Sequence, residues 1–144
     1  MYVGTCERHL DARGRVALPT NYRSIIGEQC YLTVGHDGCV QVMDRATFDA
    51  LAEEIIAKVK AGEQTRAYQR AFAGSVKVSP VDKQGRVTVD ADLLAHAGIE
   101  SRATVTVAGA LDHIELWDTE RWRRLDELGR EQMGGVPLCA SHSR

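Results

Sequence analysis

The sequence of 144 residues has no apolar run that approaches the ~20 residues of a membrane-spanning helix. Charged residues appear early, at Glu7 and Arg8, and the N-terminal region lacks the apolar stretch of a secretory signal peptide. Apolar and charged residues, at 44% and 26%, are as frequent as in ordinary globular domains. We therefore expect a cytoplasmic protein with its own core and no membrane partner.

Paired cysteines are also missing. The four cysteines, Cys6, Cys30, Cys39 and Cys139, stand alone, and no two of them have the C-x-x-C spacing of a zinc ribbon. In a reducing compartment, isolated cysteines behave as small apolar side chains. We expect them to be buried thiols in or beside strands, apart from Cys139 near the C-terminus.

Catalytic motifs are absent as well, since neither a phosphate-binding glycine-rich loop nor a nucleophile motif occurs. His36-Asp37 and Asp112-His113 occupy matching turn regions and raise the alternative of a metal or hydrolase site. No further ligand recurs near either pair, and Asp is favoured in turns for backbone reasons. The sequence therefore predicts no enzyme, no metal and no cofactor.

The sequence also lacks an excess of positive charge. Its 18 Lys and Arg residues are outnumbered by 20 Asp and Glu, for a formal net charge of −2. A chain of this composition that binds nucleic acid has to gather its cations on one face. Its length allows one domain or two small ones.

What the sequence does contain is a repeat. The stretch Leu10–Val16 reads LDARGRV and returns 71 residues later, at Val81–Val87, as VDKQGRV. Asp at the first turn position and Gly at the fourth suit a type I turn followed by a glycine with positive φ. The similarity continues through both halves, so the chain is a tandem duplication. We expect the two copies to pack about a pseudo-two-fold axis, with their hairpins interleaved in one barrel.

Each copy has the same predicted order of elements. The turn joins two hairpin strands; a short helix, a second hairpin and a longer helix follow. Gly27 is expected to end the first short helix as a left-handed cap, and Asp44, Asp90 and Asp118 to begin helices. In the first copy we expect strands at 5–10 and 14–18, a short helix at 21–26 and the strands of the second hairpin at 29–34 and 39–43. A longer helix follows, with an apolar face of Phe48, Leu51, Ile55, Ile56 and Val59, and it continues into a segment at 64–72.

In the second copy we expect the short helix at 93–97 and the strands of the second hairpin at 103–107 and 113–117. A helix with Trp122, Leu125 and Leu128 follows, and we expect a disordered tail after Met133.

The motif Asp11-x-x-Gly14-Arg15-Val16-x-Leu18-Pro19, its second copy and the late sequence Glu115-Leu116-Trp117-Asp118 resemble the MraZ family of bacterial regulators, which have tandem AbrB-like domains. The resemblance implies an α+β, mainly β fold: a swapped-hairpin double-β barrel with flanking helices. It divides the chain into a first SpoVT-AbrB-like repeat (1–50), a helical linker (51–75), a second repeat (76–122) and a C-terminal helix and tail (123–144).

The resemblance also implies a function. Family members are expected to form ring-shaped homo-oligomers, here of eight or twelve subunits, in the cytoplasm and at the nucleoid. They bind short tandem repeats of double-stranded DNA in the promoter of the division and cell-wall gene cluster, and usually repress it. Two departures stand out: Asp90 replaces a common proline, and Leu94 replaces a basic residue whose counterpart in the first copy is Arg23. They predict either weaker DNA contact by the second copy or a more structural part for it.

The family motif carries over to Asp11 with Arg15 and to Asp82 with Arg86. Each arginine is expected to reach a guanine or a phosphate, and the alternative is an Asp–Arg pair that only stabilises its hairpin. The predicted DNA-binding residues are Arg8, Arg13, Arg15, Arg23, Lys83 and Arg86, with Lys77 a further candidate for phosphate contact. The predicted turn-shaping residues are Asp11, Gly14, Asp82 and Gly85.

One rival function belongs to a different class. A domain of this kind could bind a protein instead, as an antitoxin-like module that holds its partner. A long apolar tail suited to wrapping a toxin would favour that role, whereas residues 134–144 are few and largely polar. Phe48, Trp117 and Trp122 belong either to the core or to contacts between subunits, where aromatic residues are enriched.

Overall fold

Eight strands and five helices make up the part of the chain, residues 1–134, that the computed structural model describes. The predicted α+β class is confirmed, with antiparallel sheets at the centre of the fold. In chain order the elements are β1 (Thr5–His9), β2 (Arg15–Ala17), α1 (Thr20–Ile26), β3 (Gln29–Val34), β4 (Val40–Met43), α2 (Arg45–Lys60), α3 (Arg66–Ser75), β5 (Lys77–Pro80), β6 (Arg86–Thr88), α4 (Ala91–Ala97), β7 (Thr104–Gly109), β8 (Ile114–Asp118) and α5 (Thr119–Gln132).

Strands of the two copies exchange partners. The larger sheet has the order β1-β7-β8-β4-β3-β5, so that β1 joins the second copy and β5 joins the first. The smaller sheet pairs β2 with β6. We expected the two strands on either side of each turn to pair with each other as a hairpin. Outside the turn they do not, so this expectation is wrong. Each strand pairs with the other copy instead, and this pairing buries apolar residues of both halves together.

The β2–β6 ladder lies at the centre of this exchange. Val16 stands opposite Val87, and both side chains are fully buried. They belong to one apolar cluster that also contains Leu10, Leu18 and Val89, so residues of both copies share a single core. Removing a valine side chain from water contributes about 1.5–3 kcal/mol, which makes this pair a main link between the halves.

The predicted helix N-caps are confirmed. The carboxylate of Asp44 accepts the backbone N–H of Thr47 at 2.9 Å, and Asp118 caps α5 in the same way. Asp90 caps α4 by accepting the N–H two residues further on. Gly98 ends α4 in the left-handed conformation, with φ 65° and ψ 27°. Gly27 also has positive φ, but its ψ of −150° lies outside the left-handed helical region, so the expected cap is wrong in form.

The two helices that link the copies are separate elements. A turn at residues 61–65 ends α2, and Thr65 caps α3 by accepting the N–H of Tyr68 at 3.1 Å. Phe48 stacks on Tyr31 with 4.6 Å between ring centroids, and Phe72 follows at 6.5 Å. Together with Ile56, which is 41% exposed, these rings line an apolar groove between the helices and β3.

Three of the cysteines have the predicted environment. Cys30 and Cys39 are fully buried, in or beside strands, and Cys6 is half-buried in β1. Burial raises the pKa of both the Cys30 and Cys39 thiols to about 12, so they are neutral. Cys139 and the tail predicted to be disordered lie outside the described residues, except for Gly134, which follows α5.

Two further expectations concern α5 and the membrane. Of the two predicted locations, the core and contacts between subunits, Trp117 occupies the core. Trp122 packs against it with 6.4 Å between the ring centroids. Within residues 1–134, no helix combines the length and the apolar character needed to span a lipid bilayer.

Candidate nucleic-acid interface

The first turn is organised by one carboxylate. Oδ1 of Asp11 accepts the backbone N–H groups of Arg13 and Arg15, both at 2.9 Å, and Oδ2 accepts Nε of Arg15 at 2.8 Å. The N–H of Gly14 donates to the Asp11 carbonyl at 3.1 Å, and Gly14 has a φ of 77°. The Arg15 N–H in particular, together with the other donors, holds the pKa of Asp11 below its ordinary value.

The second turn repeats this arrangement. Oδ1 of Asp82 accepts the N–H groups of Gln84 and Arg86 at 2.9 and 2.8 Å, and Oδ2 accepts Nε of Arg86 at 2.8 Å. Gly85 has a φ of 75°, a conformation that side chains with a Cβ rarely adopt. The Arg86 N–H and the other donors likewise lower the pKa of Asp82. Both copies therefore build the same charged turn from the same residue types.

The arginine side chains keep part of their hydrogen-bonding capacity. In each pair the Asp carboxylate engages only the Nε edge of the guanidinium. The Nη nitrogens of Arg15 and Arg86 donate no hydrogen bond within the described chain, and the two side chains are 26% and 31% exposed. An arginine held in this way can still offer two N–H groups to a guanine edge or a phosphate.

Both arginines lie on one face of the β2–β6 ladder. Arg15 stands opposite Thr88, and Arg86 opposite Ala17. Because side chains alternate along a strand, these four residues point away from the buried face of Val16 and Val87. Arg15 and Ala17 are two positions apart, so the two arginines are separated by only about 7 Å along the strand direction. The sheet pairing thus places both arginine side chains on one outer face.

The remaining predicted cations differ in position. Arg13 and Lys83 are exposed within the turns themselves. Arg8 lies within β1, where it donates to the Glu7 carbonyl at 3.3 Å, so it belongs to the sheet and not to a turn. Burial raises the pKa of Cys6 in the same strand, and the charge of Arg8 opposes that rise. Lys77 is exposed at the start of β5.

Arg23 lies where the repeat alone did not predict it. It belongs to α1 of the first copy, yet its guanidinium covers Gly85 of the second turn so closely that a Cβ there would overlap it. Its Nε donates to the Leu18 carbonyl at 2.9 Å. The signal in the sequence was the expected pseudo-two-fold axis, because interleaved copies place the helix of one beside the turn of the other.

The second His-Asp pair has a different role from a metal site. The ring nitrogens of His113 lie 2.6 Å from Asp112 Oδ1 and 2.9 Å from Glu115 Oε2, and Trp117 Nε1 donates to Glu115 Oε1 at 3.0 Å. The Glu115 bond, and then Asp112, raises the pKa of His113. His36 is exposed, and its carbonyl accepts the Cys39 thiol. Over residues 1–134, no three His, Cys, Asp or Glu side chains are placed to hold a metal ion.

The fold and the turns define a class: a tandem-duplicated α+β protein with two Asp–Arg turns whose arginines share an outer face. Comparison with known families agrees with the duplication. The family model described as "MraZ protein, putative antitoxin-like" matches the chain twice, over residues 1–71 and 71–132.

Individual relatives match over most of their length. The chain is 37% identical to a transcriptional regulator MraZ of Saccharopolyspora erythraea over 88% of both chains. It is 36% identical to that of Micrococcus luteus, over 85% of this chain and 84% of the relative. It is 35% identical to that of Mycolicibacterium gilvum over 94% of both. The chain belongs to the MraZ family, and the relatives that it matches are named as transcriptional regulators.

Proposed function

We propose that this protein is a sequence-specific DNA-binding regulator of transcription that acts as a repressor. Its targets are short tandem repeats in the promoter of the division and cell-wall gene cluster, and it works in the cytoplasm at the nucleoid. The observation that carries the proposal is the pair of arginines, Arg15 and Arg86, with free Nη groups on one outer face. The names of the relatives support the regulatory role.

The turns divide the work between carboxylate and cation. Asp11 and Asp82 fix the loop backbone and the Nε edge of each arginine, which orients the guanidinium before DNA arrives. Arg15 and Arg86 then contact guanine O6 and N7 in the major groove or an adjacent phosphate. Arg13 and Lys83 contact phosphates, and Arg8 and Lys77 add positive charge at the edge of the surface.

Local charge resolves the mismatch between an acidic chain and a polyanionic partner. The two turns and Arg23 contribute five cations, and their two carboxylates are already paired: Arg13, Arg15, Arg23, Lys83 and Arg86 stand against Asp11 and Asp82. DNA binding then depends on orientation, because the phosphates have to meet the surface that carries these cations.

Assembly into an oligomer raises the DNA affinity above that of one subunit. We propose a swapped-hairpin double-β barrel, made of one repeat at 1–50 and another at 76–122, as the unit of a ring of eight or twelve subunits. The exchange of strands between copies supports the barrel. Head-to-tail contacts close such a ring, and engagement of several subunits on tandem sites raises the affinity by about 10²–10⁴ over one unit.

Fluorescence anisotropy with labelled DNA tests the proposal. The full chain is titrated onto a duplex of short direct repeats and onto a shuffled duplex of equal length, at several salt concentrations. We expect preference for the repeats. Arg15→Ala should cost about 1–3 kcal/mol per engaged subunit and reduce that preference, whereas Arg13→Ala should weaken binding to both duplexes and flatten the salt dependence.

Arg66→Ala is the matched control, because Arg66 is exposed at the start of α3, outside the turns. It should bind both duplexes as the wild-type chain does. An Arg15→Ala variant with wild-type affinity, preference and assembly state would show that this arginine only stabilises its turn.

The protein-binding alternative is supported by one observation, the antitoxin-like description of the family model. The apolar groove between α2, α3 and β3 is a surface on which such a partner could pack. The same titration separates the two functions, since a protein-binding module would show no preference for repeats and no difference between Arg15→Ala and Arg66→Ala.

A further inference from the structure

We infer that Arg23 acts at the second turn and not at the first, so that the two halves of the DNA-binding face are unequal. The second turn then carries three cations, and the first carries two beside an apolar side chain. The inference rests on the proposed function. It also reverses the expectation, drawn from the Leu94 departure, that the second copy contacts DNA less.

The contacts of Arg23 attach it to the second turn on two sides. Its guanidinium lies over the Cα of Gly85, which is buried beneath it. Its Nε donates to the carbonyl of Leu18 at 2.9 Å, and the N–H of Leu18 donates to the carbonyl of Gly85 at 2.9 Å. Leu18 therefore connects Arg23 to the turn that the guanidinium covers.

The symmetry-related position has no cation. Val89 takes the place of Leu18 and donates its N–H to the Gly14 carbonyl at 2.8 Å. Leu94 takes the place of Arg23, with its Cδ1 3.9 Å from where a Cβ of Gly14 would lie. The backbone of the two turns is thus the same, whereas the side chain that reaches across from the other copy is basic in one case and apolar in the other.

The free groups of Arg23 suit a phosphodiester. Neither of its Nη nitrogens donates a hydrogen bond within residues 1–134, and Lys83 and Arg86 belong to the same turn. Three cations on one turn match the closely spaced charges of a DNA strand, which is contacted mainly through phosphates. A subunit with one stronger half binds its site in one preferred orientation.

Arg23→Gln separates charge from structure. Glutamine can still donate an N–H to the Leu18 carbonyl, but it removes the positive charge. We expect affinity for the repeat duplex to fall about 3- to 10-fold per engaged subunit near physiological salt, and the magnitude of the salt slope to fall by about one for each engaged subunit. A residue that only holds the turn would change the melting temperature and leave the salt slope alone.

Double-mutant cycles assign Arg23 to a turn. Arg13 and Lys83 occupy the first and second turns and provide matched partners. We expect the combined loss for Arg23→Gln with Lys83→Gln to differ at least about threefold from the product of the single losses. The combination with Arg13→Gln should match the product within about twofold. Coupling to Arg13 alone, or equal coupling to both, would overturn the inference.

Leu94→Arg supplies an independent test that does not rely on the fold of the Arg23 variant. It places a cation over the first turn and should steepen the salt slope by about one for each engaged subunit. An unchanged slope in both Arg23→Gln and Leu94→Arg overturns the inference while leaving DNA binding in place. A wild-type chain with no affinity for the repeat duplex overturns the proposed function and the inference together.

Discussion

The first turn and the second turn have the same internal hydrogen bonds and different surroundings. Each carboxylate accepts two backbone N–H groups and one arginine Nε, with distances that agree within 0.1 Å. Gly14 is half-exposed beside Leu94, however, whereas Gly85 is buried beneath Arg23. The short motif thus determines the shape of a turn, and the other copy determines which side chain covers it.

The largest expected effect tests whether the two halves share one core. Val16→Ala and Val87→Ala should each lower the free energy of unfolding by roughly 1.5–3 kcal/mol, because the two side chains face each other and are fully buried. Urea unfolding followed by circular dichroism measures this. A large loss for one valine and almost none for the other would mean that the halves are stabilised separately.

A smaller effect is expected for alanine substitutions of the two turn glycines, Gly14 and Gly85. Their consequences should differ because the two glycines have different neighbours. Alanine at either position costs about 1–2 kcal/mol for its positive φ. At Gly14 the new Cβ meets the rigid carbonyl of Val89 at 3.0 Å, whereas at Gly85 it displaces the flexible side chain of Arg23. Gly14→Ala should therefore lower the melting temperature more, and Gly85→Ala should lower DNA affinity more at equal folded fraction.

The smallest expected effect concerns the two histidines in the matching turns of the second hairpins, His36 and His113. His113 lies between two carboxylates that raise its pKa, whereas His36 is exposed. A raised folded pKa gives stability that is fully present below the ordinary value of 6.5 and is lost as pH rises through the folded value. His113→Gln should cost roughly 1 kcal/mol at pH 6 and less at pH 9.

Thermal unfolding over that pH range checks the histidine prediction, with His36→Gln as the control. The gap between wild type and His113→Gln should narrow as pH rises, while His36→Gln follows the wild type throughout. A gap that widens with pH would contradict the assigned hydrogen bonds.

Local chemistry explains what the sequence predicted well. The charged turns depend on residues within five positions of each other, and the caps Asp44, Asp90 and Asp118 on residues within three. The partner of β2 and the position of Arg23 depend on contacts between the copies, more than 60 residues apart. A single short motif does not indicate which residues far along the chain will contact it. The duplication indicated such contacts only because it implied a symmetric packing of the two copies.

The central claim is that Arg15 and Arg86 read DNA together from one outer face. The ratio of affinities for the repeat and shuffled duplexes, measured on Arg15→Ala/Arg86→Ala at fixed salt, tests it most directly. The double variant should stay folded and assembled while this ratio falls to about one. A folded double variant that keeps the wild-type ratio would contradict it.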